Sequence, residues 1–477
     1  MVPRAGWVKP SDDQHLSDHV ALGVLTRTFP PRLVDRVVAD AGKQQVRQRL
    51  LPARLVVYYV LAMTLFSYAG YEEVMRNLVE GLSWESGWRL RWQVPSKSAI
   101  FQARARLGVE PLRGLFERAC VPLAQRSTPG GFYRGWRLVA VDGTTLDLAD
   151  TPDNDREFGR PSSGRGEGKG AFPQLRVVAL GECGTHALFA LAMGPYGTGE
   201  KALARELLPS LEEGMLLIAD RYYFSFSLWN EARAMGADLL WRTKANHVLP
   251  VEERLADGSY TSRVHDSADR RGEHPVPVRV VEYSLEDPGR PQAEDTSYRL
   301  LTTVMSPDAA PAAELASLYG QRWEFETTLD ELKTHQRGPR AVLRSKSPDG
   351  VRQEAYGFFC AHYALRAHYA LRALMAQVAD DQGVDPDRVS FTRSLHAARR
   401  SVRAGIGIAP KAVTAALRAA AVEVGHELLP ERRLRAAARV VKRKMSNYGV
   451  KRPEHGSWPR PTLQPGQAVK ILGEATS

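Results

Sequence analysis

Three acids stand where they could hold a divalent cation. Asp142 follows the apolar run RLVAV and precedes Gly143-Thr144, and Asp220 follows MLLIA and precedes Arg221-Tyr222-Tyr223. Both read as carboxylates at the tip of a buried strand, with a turn starting at Gly143 in the first case. A carboxylate leaving a buried strand is costly unless it is solvated, paired or bound to a cation. Either acid alone reads equally well as a turn or helix-capping Asp, whereas two on neighbouring strands of one sheet can share an ion. The third acid, Glu326, lies in ELASLYGQRWEFETTLDELKTHQ, which has helical periodicity. With Tyr319 as origin and about 100° per residue, Arg322 falls at about −60°, Glu326 at about −20° and Lys333 at about −40°. One narrow stripe then carries a phenol, two cations and an acid. Leu318, Phe325, Leu329 and Leu332 form the adjoining apolar stripe, which can bury against a sheet. Glu324 and Glu331 point away, and Asp330 at the stripe's edge is the alternative acid. A salt-bridged surface helix is the plainer reading, but it does not account for these four groups flanking the apolar face.

Three oxygen ligands suit Mg²⁺, with Mn²⁺ as a substitute, and two such ions about 4 Å apart serve phosphoryl transfer. Arg322 and Lys333 would hold DNA phosphates beside the metal, with Tyr319 in the same DNA-facing set.

The elements that must position these groups fall into three regions. Residues 1–126 read as an all-α N-terminal DNA-binding domain. Pro30-Pro31 opens one helix that stops near Gly42, Pro52 opens a second through Met63, and a third follows Gly70. After Pro95 comes AIFQARARLG, with Ser98 as a candidate cap and Gly108 as its end. This short basic helix sets out Gln102, Arg104 and Arg106 as a recognition helix would for base edges and phosphates. An ordinary amphipathic helix with solvated arginines fits it equally well. Ser127-Thr128-Pro129-Gly130-Gly131 is a linker signal.

Residues 132–375 then read as α/β: three consecutive apolar strands, followed by alternating helix and strand, which implies a mixed sheet. Residues 245–296 turn polar and read as a β-rich insertion before YRLLTTVM resumes the core. Residues 376–477 read as a helical basic C-terminal region with a poorly ordered tail after Ser446. Within it, residues 431–452 carry nine Lys or Arg against one acid, which suits a phosphate-contacting arm better than a merely solvated face.

Composition is compatible with this. The 477 residues carry a formal charge of +11, which favours a polyanionic partner. Three scattered cysteines with no CxxC imply neither a disulfide framework nor a zinc site, and point to the cytoplasm. The N-terminus has no signal-peptide character. The most apolar run, residues 55–66, falls short of the roughly 20 residues a membrane span needs, so no membrane association is expected.

VDGTTLDL, IADRYYFS and Tyr319-x2-Arg322-x3-Glu326-x6-Lys333 together resemble the three catalytic blocks of insertion-sequence-4-type DDE transposases. The last spacing matches that family's Y-R-E-K signature at every position, and the resemblance covers roughly residues 15–375. It implies an RNase H-like catalytic fold and Asp142, Asp220 and Glu326 as catalytic, metal-binding acids. It also implies cut-and-paste movement of an insertion element, binding to double-stranded DNA at terminal inverted repeats, and action as a homo-oligomer. Some members pass through a DNA hairpin with a base flipped onto an aromatic of the insertion. Here the insertion offers Tyr260, Tyr283 and Tyr298, with Trp241 at its edge, and none is assigned that role. The second block reads Asp220-Arg221-Tyr222-Tyr223, where members often have a Gly near this Tyr, a mild departure that leaves Asp220 in place. A transposase-derived DNA-binding protein that no longer cuts, and an RNase H-like nuclease that cuts without joining, remain as alternatives. A carbohydrate-active enzyme with paired acids would explain neither the charge nor the Tyr-Arg-Glu-Lys stripe.

Overall fold

In the computed structural model, residues 25–44, 51–78, 94–162, 170–266, 273–286, 297–336 and 342–367 are described, apart from six single positions (27, 68, 77, 127, 129 and 245), together with short pieces of 440–473. The helical reading of residues 376–425 and most of the basic run 431–452 lie outside the described residues.

The N-terminal helices begin where their prolines place them. α1 (Pro31–Asp40) has Pro31 at its first position and is followed by Gly42 at φ +65°, a backbone that glycine adopts without strain. α2 (Ala53–Leu65) is buried from Leu55 to Met63, as its uninterrupted apolar run requires. α3 (Lys97–Leu107) and α4 (Glu110–Ala119) follow. Ser96, not Ser98, caps α3 by accepting from the Ala99 N–H, and Gly108 at φ +71° ends it.

The sheet is built from β1 (Phe132–Tyr133), β2 (Trp136–Asp147), β3 (Gln174–Glu182), β4 (Leu188–Pro195), β5 (Met215–Ala219), β6 (Asp238–Arg242), β7 (Glu253–Arg254), β8 (Tyr260–Val264), β9 (Val276–Leu285) and β10 (Tyr298–Thr302). Its order is β4-β3-β2-β5-β6-β10-β9-β8-β7. β2, β3 and β4 pair antiparallel, whereas β2–β5 and β5–β6 pair parallel. Three antiparallel strands followed by parallel ones reached through helices is the RNase H-like arrangement. The intervening helices are α5 (Pro152–Phe158), α6 (Glu200–Leu207) and α7 (Phe226–Ala234). The polar segment after β6 extends this same sheet, because β9 pairs with β10 and β8 with β9.

Alternation along β2 divides the core. Leu138 and Ala140 face one apolar cluster, shared with the N-terminal helices, while Val139 and Val141 face the other, shared with α6 and α7. The first cluster also takes in α8 (Ala312–Leu318), α9 (Arg322–Asp330) and α10 (Pro348–Ala367). α2 and α10 cross closely at Gly357, where a β-carbon would lie 2.8 Å from Val60 Cγ1.

Two expectations need correction. Arg104 does not face DNA: it is buried between α3 and the start of α10. Its guanidinium donates to Gln353 Oε1 (3.1 Å), Ser345 Oγ (3.0 Å) and the Gly350 carbonyl (2.9 Å). Helical periodicity turns this one arginine inward, while Gln102 and Arg106 remain exposed. The tail is also partly structured. Val469–Ile471 forms a strand on β9, with Ile471 buried, because the edge of β9 still offers unpaired backbone groups there.

Candidate active site

The strand expected to end at Asp142 does not end there. It continues to Asp147, with Asp142 opposite Ala179 of β3. What ends is its parallel neighbour: the last β2–β5 pair is Ala140 with Ile218, and Asp220 directly follows β5. Asp142 and Asp220 therefore flank an opening where the sheet loses one strand. Gly143 N–H donates to Asp142 Oδ1 (2.8 Å), and Arg221 N–H donates to Asp220 Oδ1 (2.6 Å).

The helix carrying Glu326 lies on the Asp142 face. Gly181 of β3 admits it, since a β-carbon at that position would sit 2.2 Å from Phe325 Cε2. Phe325, Leu329 and Leu332 are buried, as the apolar stripe required. The helix is irregular, however, with a 3₁₀ turn at Tyr319–Gln321 and a π turn at Glu331–Gln336. A constant 100° step from Tyr319 to Lys333 therefore does not hold. The side chains of Glu324, Asp330 and Glu331 lie outside the described residues.

Arg322 Nη1 donates to Glu326 Oε1 (2.9 Å), and its guanidinium lies over the Trp323 ring (4.7 Å from the centroid) and the Tyr319 ring (5.8 Å). Arg322 and Tyr319 are only 5% and 6% exposed, and among the described residues the Arg322 Nε and the Tyr319 hydroxyl have no hydrogen-bond partner. Lys333 is exposed, and its Nζ donates to Thr144 Oγ1 (2.7 Å), two residues past Asp142.

Electrostatics tie the group together. Burial pushes the Asp142 carboxyl up to about 6; the Gly143 N–H and Arg322 oppose that rise, while Glu326 and Glu200 add to it. Burial works against the Arg322 charge, yet Tyr319, Asp220, Glu326 and Asp142 outweigh it and hold the guanidinium more firmly charged than usual.

Two neighbours were not picked out in the sequence. Glu200 opens α6, where a first-turn acid reads as an ordinary helix-end residue. Tyr223 lies three residues after Asp220 and is buried. The aromatics weighed for base stacking pack the sheet instead: Tyr260, Tyr283 and Trp241 are buried, and Tyr298 stacks on Tyr283 (5.2 Å) beneath Arg242.

Asp142, Asp220 and Glu326 supply only hard oxygen donors, which suits a divalent cation of the magnesium kind. Among the described residues no three His, Cys, Asp or Glu side chains already converge on one point, and Arg322 holds one Glu326 oxygen. The donor chemistry and the reluctant ionisation of Asp142 nonetheless fit a cation. Among the described residues no helix is long and apolar enough to cross a membrane.

Comparison with known proteins agrees. Residues 19–117 match the insertion element 4 transposase N-terminal family, and residues 134–364 match the transposase DDE domain. The chain is 29% identical over 421 residues to the transposase InsG for insertion sequence element IS4 of Escherichia coli (strain K12), covering 88% of this chain and 91% of that protein. It is 24% identical over 241 residues to InsZ of the same strain, covering 50% of this chain and 77% of that protein. The cryo-EM structure of a piggyBac transposase synaptic complex with hairpin DNA aligns over 86% of each chain at 12% identity. Its TM-score of 0.40 is too loose to argue from. The DDE domain implies use of a divalent metal and the transposase relatives imply DNA binding; the chain belongs to the insertion-sequence-4-type DDE transposases.

Proposed function

We propose that this transposase excises an insertion element at its terminal inverted repeats and joins it to target DNA, with Asp142, Asp220 and Glu326 as the catalytic acids that hold Mg²⁺. Mn²⁺ would substitute, and a pair of ions is the working arrangement. It would act in the cytoplasm as a homo-oligomer, since both ends of an element must be handled together. The observation that carries the reading is the opening between β2 and β5, where Asp142 ionises with difficulty beside Asp220 and Glu326 and a buried Arg322. Bound there, divalent cations would supply Lewis-acid polarisation of the scissile phosphate and offset charge on the attacking and leaving oxygens.

The chain's own residues do the rest. Arg322 fixes Glu326 and offsets the charges of Asp142 and Asp220. Tyr319 and Trp323 flank Arg322, and Gly181 lets Phe325 seat the helix so that Glu326 stays over the sheet. Lys333, and Arg221 beside Asp220, are exposed cations suited to backbone phosphates, which give register and affinity but no sequence specificity. Gln102 and Arg106 are kept as candidate DNA contacts on the exposed side of α3.

A strand-transfer assay tests the reading. A duplex ending in the element's own 3′ hydroxyl is incubated with a supercoiled plasmid and Mg²⁺, and joined products are expected. Nicking without joining would reduce the protein to a nuclease, and a retarded band with neither product would leave a DNA-binding protein.

A further inference from the structure

The opening beside Asp142 is also lined from the other face of the sheet. The α-carbon of Gly143 lies against the Glu200 carboxylate, and a β-carbon there would sit 2.7 Å from Cδ and 2.9 Å from Oε2. Among side chains, only the lack of one leaves room for that carboxylate. Glu200 Oε1 accepts from Arg176 Nη1 (3.0 Å). Arg176 is itself fixed, donating from Nε to the Tyr196 carbonyl (3.0 Å) with its guanidinium over the Tyr196 ring (5.0 Å). One Glu200 oxygen is thus tied down, and the other lies against β2 one residue past Asp142. Tyr223 is the second observation. It is 1% exposed, and its hydroxyl has no hydrogen-bond partner among the described residues, although buried hydroxyls are normally bonded. Its backbone N–H donates to the Asp220 carbonyl (3.0 Å), and burial above all, with the charges of Asp142, Glu200 and Asp220, holds the hydroxyl protonated.

We propose that Glu200 is a fourth carboxylate of the divalent-cation site, with the Tyr223 hydroxyl donating a hydrogen bond to the hydration shell of the same cation. A magnesium-like ion takes six oxygen neighbours and keeps several waters, so three acids leave positions that outer groups must organise. The inference rests on Asp142 being a cation-holding residue.

The test is Mn²⁺ binding to the full chain, followed by electron paramagnetic resonance of the free ion, with thermal melting in metal-free buffer alongside. Glu200→Gln should weaken Mn²⁺ binding by about 10–100-fold, the range for groups that orient a metal's ligands, without lowering the metal-free melting temperature. Gly143→Ala, which drives the carboxylate aside, should weaken binding similarly and add nothing on top of Glu200→Gln. Tyr223→Phe should weaken it in the same direction. If Asp142→Asn abolishes binding while Glu200→Gln binds Mn²⁺ as the parent does, the inference fails and the role of Asp142 stands. A Glu200→Gln protein that melts lower but binds Mn²⁺ normally also overturns it, making Glu200 only a partner for Arg176. If Asp142→Asn itself binds normally, both readings fail.

Discussion

Replacing Asp142 by asparagine should make the metal-free protein more stable. Burial holds this carboxyl to about 6 against an ordinary 3.8. At roughly 1.4 kcal/mol per pH unit, keeping it ionised near neutrality costs about 3 kcal/mol. The sign follows from proton binding: the folded state holds the Asp142 proton more tightly than the unfolded state. The penalty is therefore absent below about pH 4, grows between about pH 4 and 6, and is complete above that. Asparagine stays neutral and keeps a carbonyl oxygen for the Gly143 N–H, now 2.8 Å from Asp142 Oδ1. Denaturant unfolding of chelator-treated protein should show a gain of about 2–3 kcal/mol at pH 7.5, shrinking to under about 1 kcal/mol at pH 4.5. In saturating Mn²⁺ the order should narrow or reverse, because only the parent gains binding energy. A variant no more stable than the parent at pH 7.5, or equally stabilised at both pH values, would refute the reasoning that Asp142 is held ionised against its surroundings.

Three further outcomes are expected. Arg104→Met should cost about 3 kcal/mol or more by leaving Gln353, Ser345 and Gly350 short of a donor, while DNA affinity per folded molecule stays unchanged in a gel-shift titration; normal melting with lost DNA binding would restore it as a contact residue. Gly181→Ala should cost about 1–3 kcal/mol by overpacking against Phe325, and Phe325→Leu in the same chain should recover most of that in a thermal melt. Arg279 is fully buried and ion-paired to Asp257, whose carboxylate also accepts from the Ala312 N–H at the start of α8. Asp257→Asn should therefore destabilise the chain by about 3–5 kcal/mol in denaturant titrations, by leaving the arginine without its countercharge.

Much of the fold was legible because strand and helix periods differ. RLVAVDGTTLDL, MLLIA and the Phe325-Leu329-Leu332 stripe each state their own partner face. The end of β2 was not legible. Gly143-Thr144 reads as a turn, but β3 keeps pairing to Asp147, and that register depends on a distant strand. Arg104 was misplaced because a charged residue on a basic helix gives no local sign of buried partners 240 or more positions away. Arg322 does bond Glu326, but a helical projection could not give the burial of Arg322 and Tyr319, because 3₁₀ and π turns bracket the helix. Glu200 escaped notice because its meaning lies in the missing side chain of Gly143, on another element.

The central claim is that Asp142, Asp220 and Glu326 act as one cation-holding set on DNA. Its most direct test is Mg²⁺-dependent nicking of a duplex carrying the element end, comparing the parent with Asp142→Ala, Asp220→Ala and Glu326→Ala. Each variant is first shown to be folded and to bind the duplex. All three should lose nicking by roughly a thousandfold or more, as expected when a group that stabilises the transition state is removed. A folded, DNA-bound variant that still nicks at the parent's rate would remove its residue from the site and contradict the account.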